Sequence, residues 1–344
     1  MTKPIAVIIL NWNGDSLLKR YLPSVIDNTP TDIADVIVAD NGSTDGSLET
    51  LRNLFPQAIV WAFDTNHGFA AGYNRCVKKA ADYEYVVMLN SDVRTPKGWL
   101  QPLYEYMNVH PDVAAAQPKI LHDGEESDIF EYAGAAGGYL DKHGYPYCRG
   151  RLFSTIEPDN GQYDDCGETD IFWASGACFM VRTALYNQTG GLDTHFFAHM
   201  EEIDLCWRLQ LAGHHVRMVP TSKVYHLGGG SLPQGNPHKT YLNFRNNLLL
   251  LHKNMPQKRG KKLLFIRRIY DTMAIIQSFV TLHLADSKAI IKAHRDYKKM
   301  RRNYNSYPSH DLLKEMPECK HNIIIDYYLK RKRHFFSVNK SKNY

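Results

Sequence analysis

Several short polar clusters in this chain stand directly after apolar runs, and they carry carboxylates, amides and one imidazole. The first is Asn11-Trp12-Asn13, and the second is Asp40-Asn41-Gly42-Ser43-Thr44-Asp45-Gly46-Ser47. A carboxylate such as Asp40 can accept a hydrogen bond from a base N–H, for example N3–H of uracil or thymine. Asp40 and Asp45 can equally close Asx turns and cap the helix that follows. For Asp45 the turn role is preferred, and for Asp40 both stay open. In Asn66-His67-Gly68-Phe69-Ala70-Ala71-Gly72-Tyr73-Asn74 small residues open a helix, where backbone N–H groups can face a phosphate. Close packing of helix on sheet would select the same glycines. Asn90-Ser91-Asp92 follows the apolar Tyr85 to Leu89. Asp92 there is a candidate ligand for a hard divalent cation, since Mg²⁺ takes one or two carboxylates together with substrate phosphates. Before Thr95-Pro96 it can also be a plain turn residue.

The densest cluster is His199-Met200-Glu201-Glu202-Ile203-Asp204-Leu205-Cys206-Trp207-Arg208. Acids at a helix amino end are electrostatically favoured, so part of this cluster is capping. Adjacent residues point about 100° apart on a helix, so Glu201 and Glu202 cannot share one role. Asp204 and Arg208 have the spacing of a helical salt bridge. His226 ends Val224-Tyr225-His226 and precedes Leu227-Gly228-Gly229-Gly230-Ser231, a position that marks it as a metal-ligand candidate among 16 histidines.

The elements that must position these groups are legible in outline. Ile5 to Leu10, Asp35 to Ala39, Ala58 to Phe63 and Tyr85 to Leu89 read as strands, with helices at Ser16 to Asp27, Asp45 to Leu54 and Gly68 to Asp82. Alternating strands and helices predict an α/β fold: a Rossmann-like, mostly parallel sheet with helices on both faces. Ligands bind beyond the carboxyl ends of such strands, where Asn11-Trp12-Asn13, Asp40-Asn41-Gly42 and Asn90-Ser91-Asp92 lie. Residues 122 to 170 predict loops and short antiparallel strands. Ile171 to Arg182 restores order, Met200 to Ala212 predicts a helix, and His215 to Val219 and Lys223 to His226 predict strands. From Pro237 to about Asn305 the pattern is helical, with Leu263, Ile266, Ile269, Met273, Ile276, Val280 and Leu284 forming one apolar stripe.

With 344 residues, 44% apolar and 22% charged, the chain has the composition of a globular protein of about two domains, not of a disordered or disulfide-built one. Arg267, Arg268 and Asp271 interrupt the best apolar stretch, so no segment reads as a bilayer span. The short run at Ile5 to Leu10 lacks the features of a secretory signal, so the expected location is cytoplasmic. The six cysteines show no CxxC pair and read as reduced thiols. Charge is divided unevenly: residues 253 to 344 hold 22 Lys and Arg against 7 Asp and Glu, whereas residues 1 to 252 hold 19 against 29. An acidic body with a basic tail suggests a catalytic domain joined to an element that docks on an anionic partner.

Taken in order, the strand-end clusters, Gly190-Gly191-Leu192-Asp193, the acidic helix and Val224-Tyr225-His226 resemble glycosyltransferase family 2. The likeness is nearest to its bacterial rhamnosyltransferase-like and galactofuranosyltransferase-like members, and covers residues 5 to about 250. The resemblance implies a GT-A fold and an inverting transfer of a sugar from a UDP- or dTDP-linked donor to a hydroxyl of a glycan or polyprenyl-linked acceptor, in cell-surface polysaccharide synthesis. It implies that residues 1 to 250 form the nucleotide-sugar-binding catalytic domain and 251 to 344 a basic helical region. By position it assigns Asn11, Asn13, Asp40, Gly68, Asn74, Asn90 and Ser91 to the donor, Asp92 and His226 to Mg²⁺ or Mn²⁺, and Glu202 to the general base. This chain departs from the pattern at Asn90, where the family often has Asp, and at Glu201-Glu202, where it often has Glu-Asp. Glu201 or Asp204 are therefore alternative bases.

The stripe from Leu263 to Leu284 can lie on an anionic membrane surface on the inner face of the cell membrane, or pack on the catalytic domain. Lys330-Arg331-Lys332-Arg333 reads as an exposed tether to headgroups. The rival reading is a non-catalytic scaffold that binds nucleic acid or membrane through the tail, with Tyr297, Tyr304 and Tyr307 among basic residues. It leaves the strand-end clusters unexplained, so nucleic acid ranks low as a partner. A sugar-nucleotide epimerase or dehydrogenase would want GxGxxG after the first strand, where this chain has Asn11-Trp12-Asn13-Gly14-Asp15.

Overall fold

The computed structural model describes residues 3–124, 129–166, 170–228 and 236–339. The amino-terminal half alternates β1 (Ile5–Asn11), α1 (Asp15–Asn28), β2 (Ala34–Asp40), α2 (Ser47–Leu54), β3 (Ile59–Ala62), α3 (Phe69–Lys79) and β4 (Tyr85–Leu89), followed by a short β5 (Val93–Arg94) and α4 (Gln101–Val109). β1 and β4 are unbroken apolar runs because helices cover both faces of the sheet. Every residue of β4 is buried, and each fully buried Val or Leu contributes about 1.5–3 kcal/mol.

The ten-residue β6 (Val113–His122) escapes the sequence pattern. Its alanines and Pro118 have poor strand propensity and do not alternate. Tertiary packing holds it between neighbours. Four short antiparallel strands, β7 (Gly138–Leu140), β8 (Pro146–Cys148), β9 (Arg151–Leu152) and β10 (Thr155–Ile156), make a second sheet in the stretch expected to hold such strands. β11 (Cys178–Arg182), α5 (Thr183–Gln188), α6 (Glu201–Leu211) and β12 (His215–His226) complete the body. β12 is one strand, not two. Its register against β6 slips between Val219 and Lys223, opposite Pro118 and Lys119, where the proline lacks a ladder donor and a bulge takes up the mismatch.

The main sheet has eight strands in the order β3-β2-β1-β4-β11-β6-β12-β5. Only β11 and β5 run antiparallel to their neighbours, so the α/β, mostly parallel expectation holds. The carboxyl ends of β1, β2, β4 and β12 therefore share one edge.

The carboxyl-terminal region folds as α7 (Pro237–Asn254), α8 (Gln257–Val280) and α9 (Leu284–Met300), followed by short turns and helices. Position 250 lies inside α7. One apolar core joins Ala6 and Ile8 of β1 to Leu248, Leu263, Tyr297, Leu313, Ile323 and Phe335. In the basic run Lys330 and Lys332 pair with Asp326 and Arg333 lies over Tyr327, while Lys330 and Arg331 stay exposed. The tyrosines of the scaffold reading are engaged too. Tyr297 is buried, Tyr304 donates to Asp193 and Tyr307 meets His252, so they do not form a free stacking surface. Among the described residues Cys76, Cys148, Cys178, Cys206 and Cys319 are buried free thiols. The glycine run beyond Gly228 lies outside the described residues.

Candidate active site

Hydrogen bonds between loops organise the strand ends. Asn11 ends β1 and donates to Asp40 Oδ1 at 3.0 Å, while Asp40 Oδ2 accepts the Ser43 N–H at 3.0 Å. Both oxygens of Asp40 brace the turn, and the side chain is closed to solvent. The Oδ1 of Asn11 is buried with no partner. Asn13, in a left-handed conformation at φ 50°, accepts the Thr44 N–H at 2.8 Å. Asp45 accepts the N–H groups of Ser47 and Asp15, the turn role preferred for it.

Asn41, which sequence reasoning left without a role of its own, is the hinge of the next loop. Its amide donates to Asn66 Oδ1 and Gly68 O and accepts from the His67 N–H. Gly42 sits at φ 73°, and a Cβ there would come within 2.5 Å of the Thr65 backbone, so only glycine fits. Gly68 needs its φ of 76°, whereas Gly72 answers to packing, since a Cβ there would lie 2.8 Å from Leu10. Of the two explanations offered for these glycines, packing of helix on sheet thus applies to Gly72. Asn74 does not open toward the strand edge. Its amide donates to Leu192 O and accepts from the Tyr186 hydroxyl and the Leu192 N–H, clamping α3 to the turn at Gly190-Gly191.

Asp92 and His226 meet as expected, with Oδ1 and Nε2 3.1 Å apart and both side chains buried. Glu131, absent from the sequence reading, lies on the other side of the ring with Oε1 3.6 Å from Nδ1. It comes from a segment without periodicity, so no pattern could have singled it out. Gly228, at φ 71°, lets the chain pass Glu131, because a Cβ there would come within 2.8 Å of Oε1. Burial lowers the affinity of His226 for a proton, but Asp92 and Glu131 outweigh it and raise the imidazole to about 10. Two buried carboxylates around one imidazole demand a positive charge, either a proton or a metal ion. A carboxylate and an imidazole whose far nitrogen faces a second carboxylate form the donor set of a divalent cation with its supporting shell. Among the described residues no three acidic, histidine or cysteine side chains form a closed metal cage, so water and phosphate oxygens would complete the coordination.

Glu202 reaches this edge through α6. Three acids occupy the first turn of that helix, and the left-handed Met200, at φ 76°, precedes it. A Cβ on Gly176 would lie 3.9 Å from both Glu202 Cγ and Phe69 Cζ. The adjoining Ala177 carbonyl accepts the Asn90 N–H at 2.9 Å. Glu202 and the Phe69 ring thus flank Gly176, whose neighbour Ala177 is bonded to Asn90 at the start of the turn that carries Ser91 and Asp92. Asp204 points elsewhere. It is fully buried and bonded to Arg208, Lys253 and Asn254, so the salt-bridge expectation holds and the alternative of Asp204 as base does not. Burial raises the Glu202 carboxyl to about 7 against the pull of the helix-start amides. Burial and the neighbouring Glu202 charge push the Glu201 carboxyl well above the ordinary glutamate value too. The Oε2 of each has no partner.

Four φ-positive residues cluster ahead of α6: Phe197, His199 and Met200 precede Glu201, and Gly68 faces the Phe197 ring. α7 holds this loop. Asn246 Nδ2 lies 2.9, 2.8 and 2.7 Å from the carbonyls of Phe196, Ala198 and His199, and Arg245 donates to those of His195 and Phe196.

Residues 6–188 match the glycosyl transferase family 2 domain. An N-acetylglucosaminyl-diphospho-decaprenol L-rhamnosyltransferase of Mycobacterium tuberculosis is 26% identical over 248 residues, covering 66% of this chain and 76% of that protein. Rhamnosyltransferase WbbL of Escherichia coli is 24% identical over 226 residues, covering 64% and 83%. The solved structure of GalNAc-T7 with UDP, GalNAc and Mn²⁺ superposes with a TM-score of 0.56 at 19% identity, over 73% of this chain and 48% of that one. It shares the fold. A matched domain covering more than half the chain and a shared fold lead to one conclusion: this protein is a glycosyltransferase with a GT-A fold and belongs to glycosyl transferase family 2.

Proposed function

We propose that the protein transfers a sugar from a UDP- or dTDP-linked donor to a hydroxyl of a lipid-linked glycan, with inversion, during synthesis of cell-surface polysaccharide. The observation that carries this reading is the approach of Glu202, with an unpartnered carboxylate oxygen, to the edge formed by Asn90, Ser91 and Asp92. A base on one side of a reacting carbon and a diphosphate held on the other is the geometry of a single displacement, and no covalent nucleophile is needed. Glu202 takes the acceptor hydroxyl proton as that oxygen attacks the anomeric carbon, an effect worth typically 10²–10⁴-fold.

Asn11, Asn13, Gly68, Asn90 and Ser91 line the donor side. Asp40 orders the turn against which the base rests, and contact with the base itself would require its Ser43 bond to be exchanged. Asn74 positions α3 rather than touching the donor. Asp92 and His226 would hold Mg²⁺ or Mn²⁺, with Glu131 orienting the imidazole; bound there, the ion supplies Lewis-acid stabilisation to the leaving diphosphate. The structural neighbour's complex with Mn²⁺ and UDP supports a divalent ion. The diphospho-decaprenol acceptor named for the mycobacterial relative supports a lipid-linked acceptor. Such an acceptor puts the reaction at the cytoplasmic face of a membrane.

The test is Glu202→Gln, assayed with a nucleotide-sugar panel in Mn²⁺. Transfer should fall by at least 10²-fold while nucleotide affinity stays within a factor of two or so of wild type. Near-normal turnover would remove Glu202 from the reaction.

A further inference from the structure

The later part of α8 has its polarity reversed, whereas α9 buries Ala289, Ile290, Ala293 and Tyr297 and exposes its lysines in the ordinary way. On α8 the side chains facing the protein include Arg267 and Asp271, exposed by only 2% and 1%. They pair with each other, Asp271 also meets His294, and Arg267 lies 3.6 Å over the Tyr145 ring. The side chains facing outward are Phe265, Ile269, Met273, Ile276, Phe279 and Val280, all half exposed or more. Helices of water-soluble proteins bury the apolar side and expose the charged one. A contiguous exposed apolar face of this kind marks an interaction surface.

The turn between the helices makes the same point independently. α8 ends in a left-handed residue at φ 63°, the position where glycine is usual, and here it is Leu282, 83% exposed. A leucine there is strained by its backbone and gains no packing in the isolated chain. Between Ile269 and Leu284 the only charged residue is the buried Asp271. Charge returns away from the turn, with Lys258, Lys261, Lys262 and Arg268 on the outer face of α8 and Lys288, Arg295, Lys298 and Lys299 exposed on α9. Arg268 stands about 18 Å along the helix from Val280, at 1.5 Å per residue.

We propose that the apolar turn and outer face of this hairpin insert into the boundary region of an anionic lipid bilayer, with the flanking lysines and arginines at the headgroups. No helix among the described residues is long and apolar enough to cross a membrane, so the hairpin lies in one leaflet, its apolar face about 5–10 Å deep. A second copy of the chain is the weaker occupant. Pairing two such faces would set one basic rim against another, whereas a bilayer with acidic headgroups complements both the apolar face and the rim. The inference bears on where the proposed transfer takes place, but it rests on the surface alone and not on the roles given to Glu202, Asp92 or His226.

The full chain should sediment with vesicles of phosphatidylglycerol and phosphatidylcholine, and at least tenfold less with phosphatidylcholine alone. Phe279→Glu combined with Leu282→Glu should lower binding to the acidic vesicles at least tenfold. Lys258, Lys261 and Lys262 changed together to Gln should weaken it by about fivefold per lysine, with the loss shrinking in high salt. Nucleotide affinity should be unchanged in both variants, which shows that the fold is intact and separates this result from any failure of the catalytic reading. Undiminished vesicle binding by the Phe279/Leu282 variant would overturn the proposal. So would a wild type that ignores vesicles but forms a dimer that the same variant dissociates.

Discussion

Glu202 and Glu201 are neighbours in sequence and differ in consequence. A rotation of about 100° between them leaves Glu201 buried and turns Glu202 to the edge of the site. Because burial raises Glu202 to about 7, a base of this kind works only once it has lost its proton. The rate should therefore fall about tenfold per pH unit below 7 and level off above it, as read from kcat against pH. A limb near the ordinary glutamate value of about 4.3 would mean that the raised group is not the base. Glu131 acts through His226, so Glu131→Gln should weaken Mn²⁺ binding by about 10–100-fold while leaving nucleotide affinity without metal unchanged. Titration with Mn²⁺ followed by electron paramagnetic resonance would measure it.

At the level of elements, the proposed base Glu202 is set by α7 as much as by α6. The loop from Phe196 to Met200 carries three non-glycine residues in the left-handed region, each costing of order 1–3 kcal/mol, and it persists because Asn246 and Arg245 bind its carbonyls. Asn246→Asp should prove more damaging than Asn246→Ala. The aspartate is the same shape but brings an acceptor to three acceptors, whereas alanine loses hydrogen bonds worth about 0.5–1.5 kcal/mol each. The expected readout is a lower kcat with little change in the donor's affinity, together with faster hydrogen exchange over residues 196–200. Equal effects of the two substitutions would show that the amide hydrogens are not what holds the loop.

For the whole molecule, the boundary drawn at residue 250 separates charge more than it separates structure. α7 crosses it, and residues from Leu263 to Phe335 share a core with β1. A chain ending at residue 255 should therefore be insoluble or lack a cooperative melting transition; a soluble fragment that melts cooperatively would show the first 255 residues to be self-sufficient. The acidic body and basic tail meet through this core, and the reversed part of α8 leaves the tail's apolar face on the outside.

The sequence by itself determined the alternation of strands and helices, because unbroken apolar runs such as Ile5 to Leu10 and Tyr85 to Leu89 can be stable only inside a covered parallel sheet. It also brought Asp92 and His226 into the argument, since each directly follows or ends a strand. Only the tertiary structure decided what depends on contacts between distant segments. Glu131 lies in a stretch with no period, and β6 has a composition that disfavours strands. Asn74 is a polar residue on a helix whose partners lie more than a hundred residues away. The stripe on α8 was visible as a period, but a period does not say which part faces the protein: Leu263 goes into the core, whereas from Ile269 onward the stripe faces out and Arg267 and Asp271 are buried instead, because charge goes inward only where partners wait for it.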